Sequence, residues 1–181
     1  MSSSSDAPVL TTERLVLRPH AREDFADTVA MWSDPAVTRF ITGRPSTPEE
    51  CWSRLLRYAG AWTLLGFGYW AICERETGRF LGEGGFHDLK RDFRPAFDGA
   101  PEIGWGLTAA AQGKGYALEA TRAMLAWSDR TLTGAPRTVC LIGPGNTPSL
   151  SLAGKLGYRE YARTDYRGEP VILFERLRVS P

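Results

Sequence analysis

The sequence contains few of the residues that build metal sites and disulfides. Two histidines and three cysteines occur among 181 residues, and Cys51, Cys73 and Cys140 lie far apart, each among apolar neighbours. No CxxC pair or other metal-type spacing is present. We therefore expect no bound metal and three buried, reduced thiols, which suit the cytoplasm better than an oxidising compartment.

A charge excess and a long apolar run are also missing. The net charge is +1, whereas nucleic-acid binders usually carry a basic excess that neutralises phosphates. No apolar stretch approaches the ~18 residues that span a membrane. The Ser-rich start, 1–8, lacks the basic and apolar runs of a signal peptide. It is predicted to be a flexible tail before one domain over 9–181, with neither nucleic acid nor a membrane as partner.

Hydrophobic periodicity predicts a mixed α/β chain of the α+β type. Its expected order is strand, two helices, three strands, helix, strand, helix and two strands. The predicted strands are 15–18, 68–73, 79–87, 101–107, 137–142, 158–163 and 171–178. The predicted helices are 25–32, 48–62, 117–130 and 148–156.

The second helix has the strongest local signals. Thr47 can cap it, Pro48 suits its first position, and Glu50 completes a capping box. Its predicted buried face consists of Trp52, Leu55, Leu56, Ala59 and Trp62.

The segment 111–117, Ala-Gln-Gly-Lys-Gly-Tyr-Ala, lies between a predicted strand and a predicted helix. A helix start offers free amides and a positive dipole to an anion, and glycine lets the backbone approach closely. The expected pyrophosphate cradle is formed by the amides of Gly113, Lys114, Gly115, Tyr116 and Ala117. Taken alone, the segment fits an ordinary glycine turn equally well. Its spacing matches neither a Walker A loop nor a Rossmann fingerprint.

This segment resembles the Q/R-x-x-G-x-G/A motif of the GNAT superfamily of acyl-CoA N-acetyltransferases. The chain is most similar to the branch that acetylates ribosomal-protein N-termini. Five pieces occur in family order across 9–178, namely 10–18, 102–105, 113–120, 146–149 and 155–158. The resemblance implies the GNAT fold: a central, mostly antiparallel, twisted sheet of about seven strands with a splayed parallel pair, flanked by about four helices.

The resemblance also implies an acyltransferase that uses acetyl-CoA as co-substrate. The donor would lie between the splayed strands 101–107 and 137–142, and an amine would attack the thioester directly in a ternary complex. The implied CoA-binding residues are Trp105, Gly106, Leu107, Gln112, Gly113, Lys114, Gly115, Tyr116, Ala117, Asn146 and Ser149. The amide of Leu107 is expected to stabilise the developing oxyanion.

Proton transfer is assigned to a few side chains by the same resemblance. Glu102 and Asp165 are the candidate acceptors of the amine proton, and Glu83 and Glu169 are weaker ones. The alternative for each carboxylate is a solvated surface position.

The leaving thiolate needs a donor, and Ala153 stands where many relatives place a tyrosine. Ser149, which matches the ribosomal-protein branch, is the expected donor. Asn146 would orient CoA or the amine, or simply cap its helix. Tyr158 is expected in the core.

Several alternatives remain open at this stage. The missing tyrosine leaves room for a catalytically inactive CoA-binding sensor or assembly module, and the acyl group could be longer than acetyl. The acceptor could be a protein N-terminus, an amino acid, a polyamine or an aminoglycoside. The interspersed arginines, Arg91, Arg94, Arg163 and Arg167, argue against a polycationic drug.

Variable loops often frame an acceptor site, and 39–45 and 90–99 are the expected ones. Neither His20 nor His87 has a metal-type neighbour or matches a family catalytic position; His87 is expected at the surface, with a minor substrate role as the alternative. Either a monomer or a homodimer is compatible with the sequence.

Overall fold

The computed structural model describes residues 7–178, and its first half places a tight strand pair before three helices. The elements are β1 (Leu10–Thr11), β2 (Leu15–Arg18), a 3₁₀ turn (Arg22–Asp24), α1 (Phe25–Trp32), α2 (Pro35–Thr38) and α3 (Pro48–Leu65). The second half alternates strands and helices. It contains β3 (Tyr69–Glu74), β4 (Phe80–His87), β5 (Glu102–Leu107), a 3₁₀ turn (Ala109–Ala111), α4 (Tyr116–Thr131), β6 (Arg137–Ile142), α5 (Thr147–Lys155), β7 (Arg159–Tyr166) and β8 (Glu169–Leu177).

One eight-stranded sheet organises these elements, in the order β1-β2-β3-β4-β5-β6-β8-β7. Every neighbouring pair is antiparallel except β5 and β6, which run parallel. The predicted fold class is therefore confirmed. The sequence analysis missed β1, because a strand of only two residues is too short to show the alternation of apolar and polar residues.

Helices cover both faces of the sheet. On one face, α4 and α5 bury Ala120, Met124, Leu152 and Ala153 against apolar side chains from the central strands. On the other face, α1, α2 and α3 bury a second cluster that is formed by Met31, Trp32, Val37, Cys51, Ala71, Cys73 and Phe80. Each amphipathic element thus has a partner layer.

Helix α3 begins as predicted but buries a different face. Thr47 Oγ1 accepts the Glu50 N–H (3.2 Å), and Glu50 Oε2 accepts the Thr47 N–H (2.8 Å), which completes the capping box. Trp52 (38% exposed) and Leu56 (55%) face outward, so the predicted stripe is wrong there. Ala59 is also exposed. The buried stripe is Cys51, Leu55, Tyr58, Ala61 and Trp62.

The glycines of β4 permit close approach by neighbouring strands, as predicted. A Cβ added to Gly82 would lie 2.2 Å from the carbonyl oxygen of Gly106, and one on Gly85 would lie 2.1 Å from that of Gly68. The pairing of β3 with β4 also shifts register between Ile72 and Cys73. Glycine therefore keeps the middle of the sheet tight where β4 meets its neighbours.

Several other predictions concern the periphery. The predicted tail lies largely outside the described residues; of its last members, Ala7 is buried and the Pro8 carbonyl accepts the Trp70 indole N–H (2.7 Å). All three cysteines are free and buried, as expected. Within 7–178, no helix combines the length and apolarity that crossing a membrane requires, and no His/Cys/Asp/Glu group forms a metal-type cluster.

Candidate active site

The parallel strands β5 and β6 meet at one point and then separate. Within residues 7–178, their pairing consists of Glu102 opposite Val139, where the Val139 N–H donates to the Pro101 carbonyl (3.0 Å). Over the rest of their length β5 pairs only with β4, and β6 only with β8. A gap therefore opens in the middle of the sheet towards the carboxyl ends of the two strands.

Backbone groups of β5 point into this gap. The Thr108 N–H donates to the Leu81 carbonyl in β4 (2.9 Å), whereas the Pro101 carbonyl faces β6. Because the polar groups of successive strand residues alternate in direction, the amides of Trp105 and Leu107 face the gap. The Leu107 carbonyl accepts the Gln112 side-chain amide (3.1 Å). The strand thus presents free donors beside a loop that it anchors.

That loop places a helix start at the mouth of the gap. Gly113 (φ 74°) and Gly115 (φ 82°) both adopt the left-handed conformation, and α4 begins at the next residue. No atom lies within 4 Å of a Cβ added to Gly113, so backbone conformation rather than space requires glycine there. Residues 112–115 are exposed. The amides of the first helical turn therefore point outward at a glycine-lined entrance.

The start of α5 borders the same end of the gap, because α5 follows β6 directly. Asn146 Oδ1 accepts the Ser149 N–H (3.3 Å) and caps the helix. Ser149 is half-buried, and Ala153 is fully buried. Tyr158 lies in the core, where its hydroxyl pairs with Thr138 Oγ1 (2.6 Å) and burial raises its pKa. A hydroxyl near this part of the gap thus comes from Ser149 and not from a tyrosine.

Glu102 is held in place by Arg91, which the sequence analysis used only as an argument against a polycationic acceptor. Arg91 Nε and Nη2 each donate to one Glu102 oxygen at 2.7 Å, and Glu102 is only 6% exposed. The same guanidinium lies 4.9 Å from the ring centre of Tyr166. Asp165, the neighbouring residue in β7, is exposed. Arg91 thus links Glu102 to Tyr166 on one face of the sheet, whereas the side chain of Asp165, the preceding residue of β7, points to the opposite face.

Two loops cover the face of β5 that is turned towards α1. Ile41 Cδ1 is 3.9 Å from a Cβ placed on Gly106, and Phe40 Cε1 is 3.7 Å from one placed on Gly145. Residues 40 and 41 thus reach both sides of the gap from the 39–45 loop. The 90–99 loop supplies Arg91 and buries Phe93 against β8. Both loops expected to frame the acceptor site lie beside the gap.

A buried carboxylate, Glu83, which the sequence analysis named as a weaker proton acceptor, lies on the same face of the sheet in β4. It is fully buried; Trp32 Nε1 donates to its Oε1 (3.0 Å), and the Tyr58 hydroxyl makes a short bond to the same oxygen. Burial raises the pKa of Glu83. Arg54 lies over the Trp32 ring (3.7 Å to the centroid). A charged residue inside an otherwise apolar, glycine-rich strand was the available signal for this cluster.

Both histidine side chains are buried, so the predicted surface position of His87 is wrong. The His87 ring stacks on Tyr69 at 3.9 Å between centroids, and His20 stacks on Tyr58 at 5.0 Å. Burial lowers the pKa of His87 to about 3 and that of His20 to about 4. Both imidazoles are therefore neutral near pH 7, and they act as packing rings in an aromatic stack under α3.

Comparison with known proteins adds a family to this geometry. Residues 14–159 match the family model of the acetyltransferase (GNAT) domain. A curated N-acetyltransferase of uncharacterised role, p20 from Bacillus licheniformis, is 29% identical over 176 residues, which cover 93% of this chain and 96% of that protein.

Solved structures agree with the family match. A protein assigned to the GNAT acetyltransferases from Bordetella pertussis is 37% identical, with a TM-score of 0.83 and coverage of 94% of this chain and 99% of its own. RimL, a ribosomal L7/L12 alpha-N-protein acetyltransferase in complex with coenzyme A, is 15% identical and shares the fold (TM-score 0.76; coverage 94% and 98%). The splayed strands, the glycine loop and these matches lead to one conclusion: the chain is an acetyltransferase and belongs to the GNAT family.

Proposed function

We propose that the protein transfers an acetyl group from acetyl-CoA to a primary amine by direct attack in a ternary complex. The observation that carries the proposal is the gap between β5 and β6, into which the amides of Trp105 and Leu107 point. A pantetheine arm has the amide groups that could pair with them, as an added strand would. The pyrophosphate would then reach the helix start at Gly113–Ala117.

The chemistry follows from this placement of the donor. The amine nitrogen attacks the thioester carbon, and negative charge grows on the carbonyl oxygen near the Leu107 amide, which stabilises it. The carbon–sulfur bond then breaks, and the thiolate takes a proton from the Ser149 hydroxyl, which water replenishes. The nitrogen loses one proton, so the products are an acetamide and CoA thiol.

We assign the amine proton to a water held by Glu102. A carboxylate has about four lone-pair sites, and the Arg91 fork uses two of them, so the others can hold a water. Asp165, an exposed carboxylate one residue before Tyr166 on β7, is the second candidate. Glu83 is left out because it is enclosed by Tyr58 and Trp32.

For the acceptor, we favour a peptide or protein N-terminus or a small amine over a polycation. Arg91 and Arg167 both lie against the Tyr166 ring on this side of the gap (4.9 and 5.1 Å to its centre), and like charges would repel a polyamine or an aminoglycoside. RimL acts on a ribosomal protein, which makes N-terminal peptides the first acceptors to try. Three unpaired, buried thiols also favour the reducing cytoplasm as the place of action.

A CoA-release assay tests the proposal. We expect thiol release with at least one class among peptides with free N-termini, amino acids, polyamines and aminoglycosides, and none with the N-acetylated forms of the same peptides. Cys140→Ala should retain most of the activity, because Cys140 is buried (2% exposed) and burial raises its thiol pKa. Loss of turnover in folded Cys140→Ala would contradict direct attack.

The second candidate function, a CoA-binding module without catalysis, is favoured by one observation: Ala153 is fully buried where many relatives have a tyrosine. Tight CoA binding without turnover across the whole acceptor panel would select it over the enzyme.

A further inference from the structure

A cluster of polar contacts joins the β1–β2 turn to the start of α4, about a hundred residues further along the chain. Glu119 lies in the first turn of α4. Its Oε1 accepts the Thr12 hydroxyl (2.6 Å) and the Arg14 backbone N–H (2.9 Å), and its Oε2 accepts Arg14 Nε (2.7 Å). Both carboxylate oxygens are thereby committed to one turn of the chain.

The Arg14 side chain also contacts the glycine loop itself. Its Nη1 donates to the Lys114 carbonyl (3.0 Å), and its guanidinium lies 4.6 Å from the centre of the Tyr116 ring. Arg14 Nη2 is 3.4 Å from the position of a Cβ on Gly115. One side chain therefore touches three consecutive residues at the point where the loop becomes a helix.

The turn that carries Arg14 is itself anchored to the sheet. The Thr12 N–H donates to the Leu15 carbonyl (2.9 Å), and the Leu15 N–H donates back to Thr12 Oγ1 (3.0 Å). The Arg75 N–H donates to the Arg14 carbonyl (2.8 Å), and the Arg75 side chain donates to the Thr12 carbonyl (3.2 Å). The loop is thus held by a turn that the β3–β4 hairpin fixes in place.

The sign of the charge on Glu119 is informative. If the Gly113–Ala117 amides bind a pyrophosphate, a carboxylate one helical turn away repels that anion. A carboxylate at this position is therefore unfavourable for CoA binding unless it acts through the conformation of the loop. Its bonds to Thr12 and Arg14, and the bond from Arg14 to Lys114, provide that route.

We propose that Thr12, Arg14 and Glu119 are positioning residues of the donor site, which hold residues 114–116 so that the amides at the start of α4 are aimed at the CoA pyrophosphate. The inference rests on the proposed use of CoA. Their effect passes through the backbone of the loop, so donor affinity should depend on them and acceptor affinity should not.

The decisive variant is Glu119→Gln. It is nearly isosteric and removes a negative charge, so electrostatics alone would tighten the binding of CoA. The amide cannot accept all three bonds, and its NH2 group would face N–H donors of Arg14. We expect CoA affinity to fall about tenfold, the equivalent of one bond to a charged group.

Arg14→Lys separates charge from geometry. Lysine keeps the positive charge near the phosphates but cannot hold Glu119 and the Lys114 carbonyl at once. We expect a loss of CoA affinity in the same direction as for Glu119→Gln. The matched controls are Glu160→Gln and Arg163→Lys, which alter an exposed Arg–Glu pair on β7 (2.7 Å), far along the chain from the loop. Both controls should bind CoA as the wild type does.

Calorimetric titration with CoA measures the affinities. Circular dichroism and melting curves establish that each variant is folded. Steady-state kinetics give KM for acetyl-CoA and for the acceptor separately. The inference predicts a raised KM for acetyl-CoA in Glu119→Gln and in Arg14→Lys, and an acceptor KM within about twofold of the wild type. Equal or tighter CoA binding by Glu119→Gln, or full affinity in Arg14→Lys, would overturn it. So would a parallel rise of both KM values. A wild-type protein that binds no CoA would instead overturn the proposed donor site.

Discussion

Tyr58 is the residue through which α3 is tied to the buried carboxylate of β4. It is 1% exposed, and its hydroxyl bonds to Glu83, a residue with no exposure. An unpaired acceptor in the core costs free energy because water cannot replace the lost partner. The polar contact therefore fixes which face of α3 turns inward.

Replacing Tyr58 by phenylalanine tests this role. We expect Tyr58→Phe to lower the free energy of unfolding by about 2 kcal/mol, since it leaves Glu83 with one donor fewer. The control is Tyr161→Phe, because the Tyr161 hydroxyl has no partner within 7–178 and its loss should change stability by less than about 0.5 kcal/mol. Urea denaturation measures both variants, and equal effects would contradict the assignment.

His20 predicts a specific loss of stability in acid. Burial lowers its pKa to about 4 in the folded state, whereas the unfolded chain titrates near 6.5. The unfolded state therefore binds more protons between these values, and stability is lost as pH falls from about 6.5 towards 4. The shift corresponds to at most about 3 kcal/mol.

The matched variant is His20→Phe, which keeps a ring against Tyr58 but does not titrate. We expect the stability of His20→Phe relative to the wild type to rise as pH is lowered from 7 to 4. Taking the difference between the two proteins cancels His87, which acts in the same direction, and Glu83, whose raised pKa acts in the opposite one. A pH-independent difference would show that His20 has the same pKa in the folded and unfolded states, as a solvated side chain has.

Glu102 and Asp165 make different predictions for catalysis. If a water on Glu102 takes the amine proton, Glu102→Gln should lower kcat about 100-fold in steady-state kinetics. Asp165→Asn should stay within about threefold of the wild type, because Asp165 is exposed. The opposite ranking would assign the proton to Asp165.

Among the elements, helix α3 illustrates how far the sequence alone can predict the fold. The capping box and the length of the helix follow from local residues and are confirmed. The buried face does not follow, because 51, 55, 58 and 62 fit a helical period as well as the stripe through Trp52 and Leu56. The deciding partner is Glu83, on a strand about 25 residues away, and hydrophobic periodicity contains no information about it.

The same limit applies to the site. The glycine loop and the N-terminal residues of α5 are local motifs, so the sequence places them at helix starts, where the structure has them. The Arg91–Glu102 and Arg14–Glu119 contacts join residues that are far apart in the chain or lie in a loop without periodicity. The sequence predicted Glu102 as a site residue but did not predict its contact with Arg91.

Replacing glycine by alanine should have opposite effects on stability in helix α3 and in strand β4. Gly60 lies within α3 with open space around a Cβ, whereas a Cβ on Gly82 would lie 2.2 Å from a backbone oxygen of β5. We expect Gly60→Ala to stabilise the fold by roughly 0.5–1 kcal/mol, through helix propensity. Gly82→Ala should destabilise it by about 3 kcal/mol, because the sheet has to move apart. Melting curves distinguish them, and a neutral Gly82→Ala would contradict the close approach.

For the whole molecule, hydrophobic periodicity predicted the order of strands and helices, apart from the two-residue β1 and the four-residue α2. The five motif segments in family order implied how these elements form one sheet. The sheet then places the two faces and the gap relative to one another. A ligand in that gap contacts β5, β6 and the start of α4, so its binding should stabilise the complete domain and not one element.

Thermal melting with CoA measures this coupling. At a free CoA concentration of 100 Kd, binding to the folded state adds about 3 kcal/mol, which is roughly 5–10 °C in Tm for a domain of this size. AMP, which lacks the pantetheine arm, should give a clearly smaller shift at the same concentration. Equal shifts for the two compounds would mean that the gap does not contribute to binding.

The separation of β5 and β6 also bears on aggregation through strand edges. An open sheet of eight strands has two edges, which here are β1 and β7. The edge strand β7 carries charges of both signs at Arg159, Glu160, Arg163 and Asp165. The gap adds two inner edges with unpaired amides, and such edges accept strands from other chains. A pantetheine arm that pairs with them would also block that route to aggregation. A bound acetyl-CoA would then prevent aggregation in addition to supplying the acetyl group.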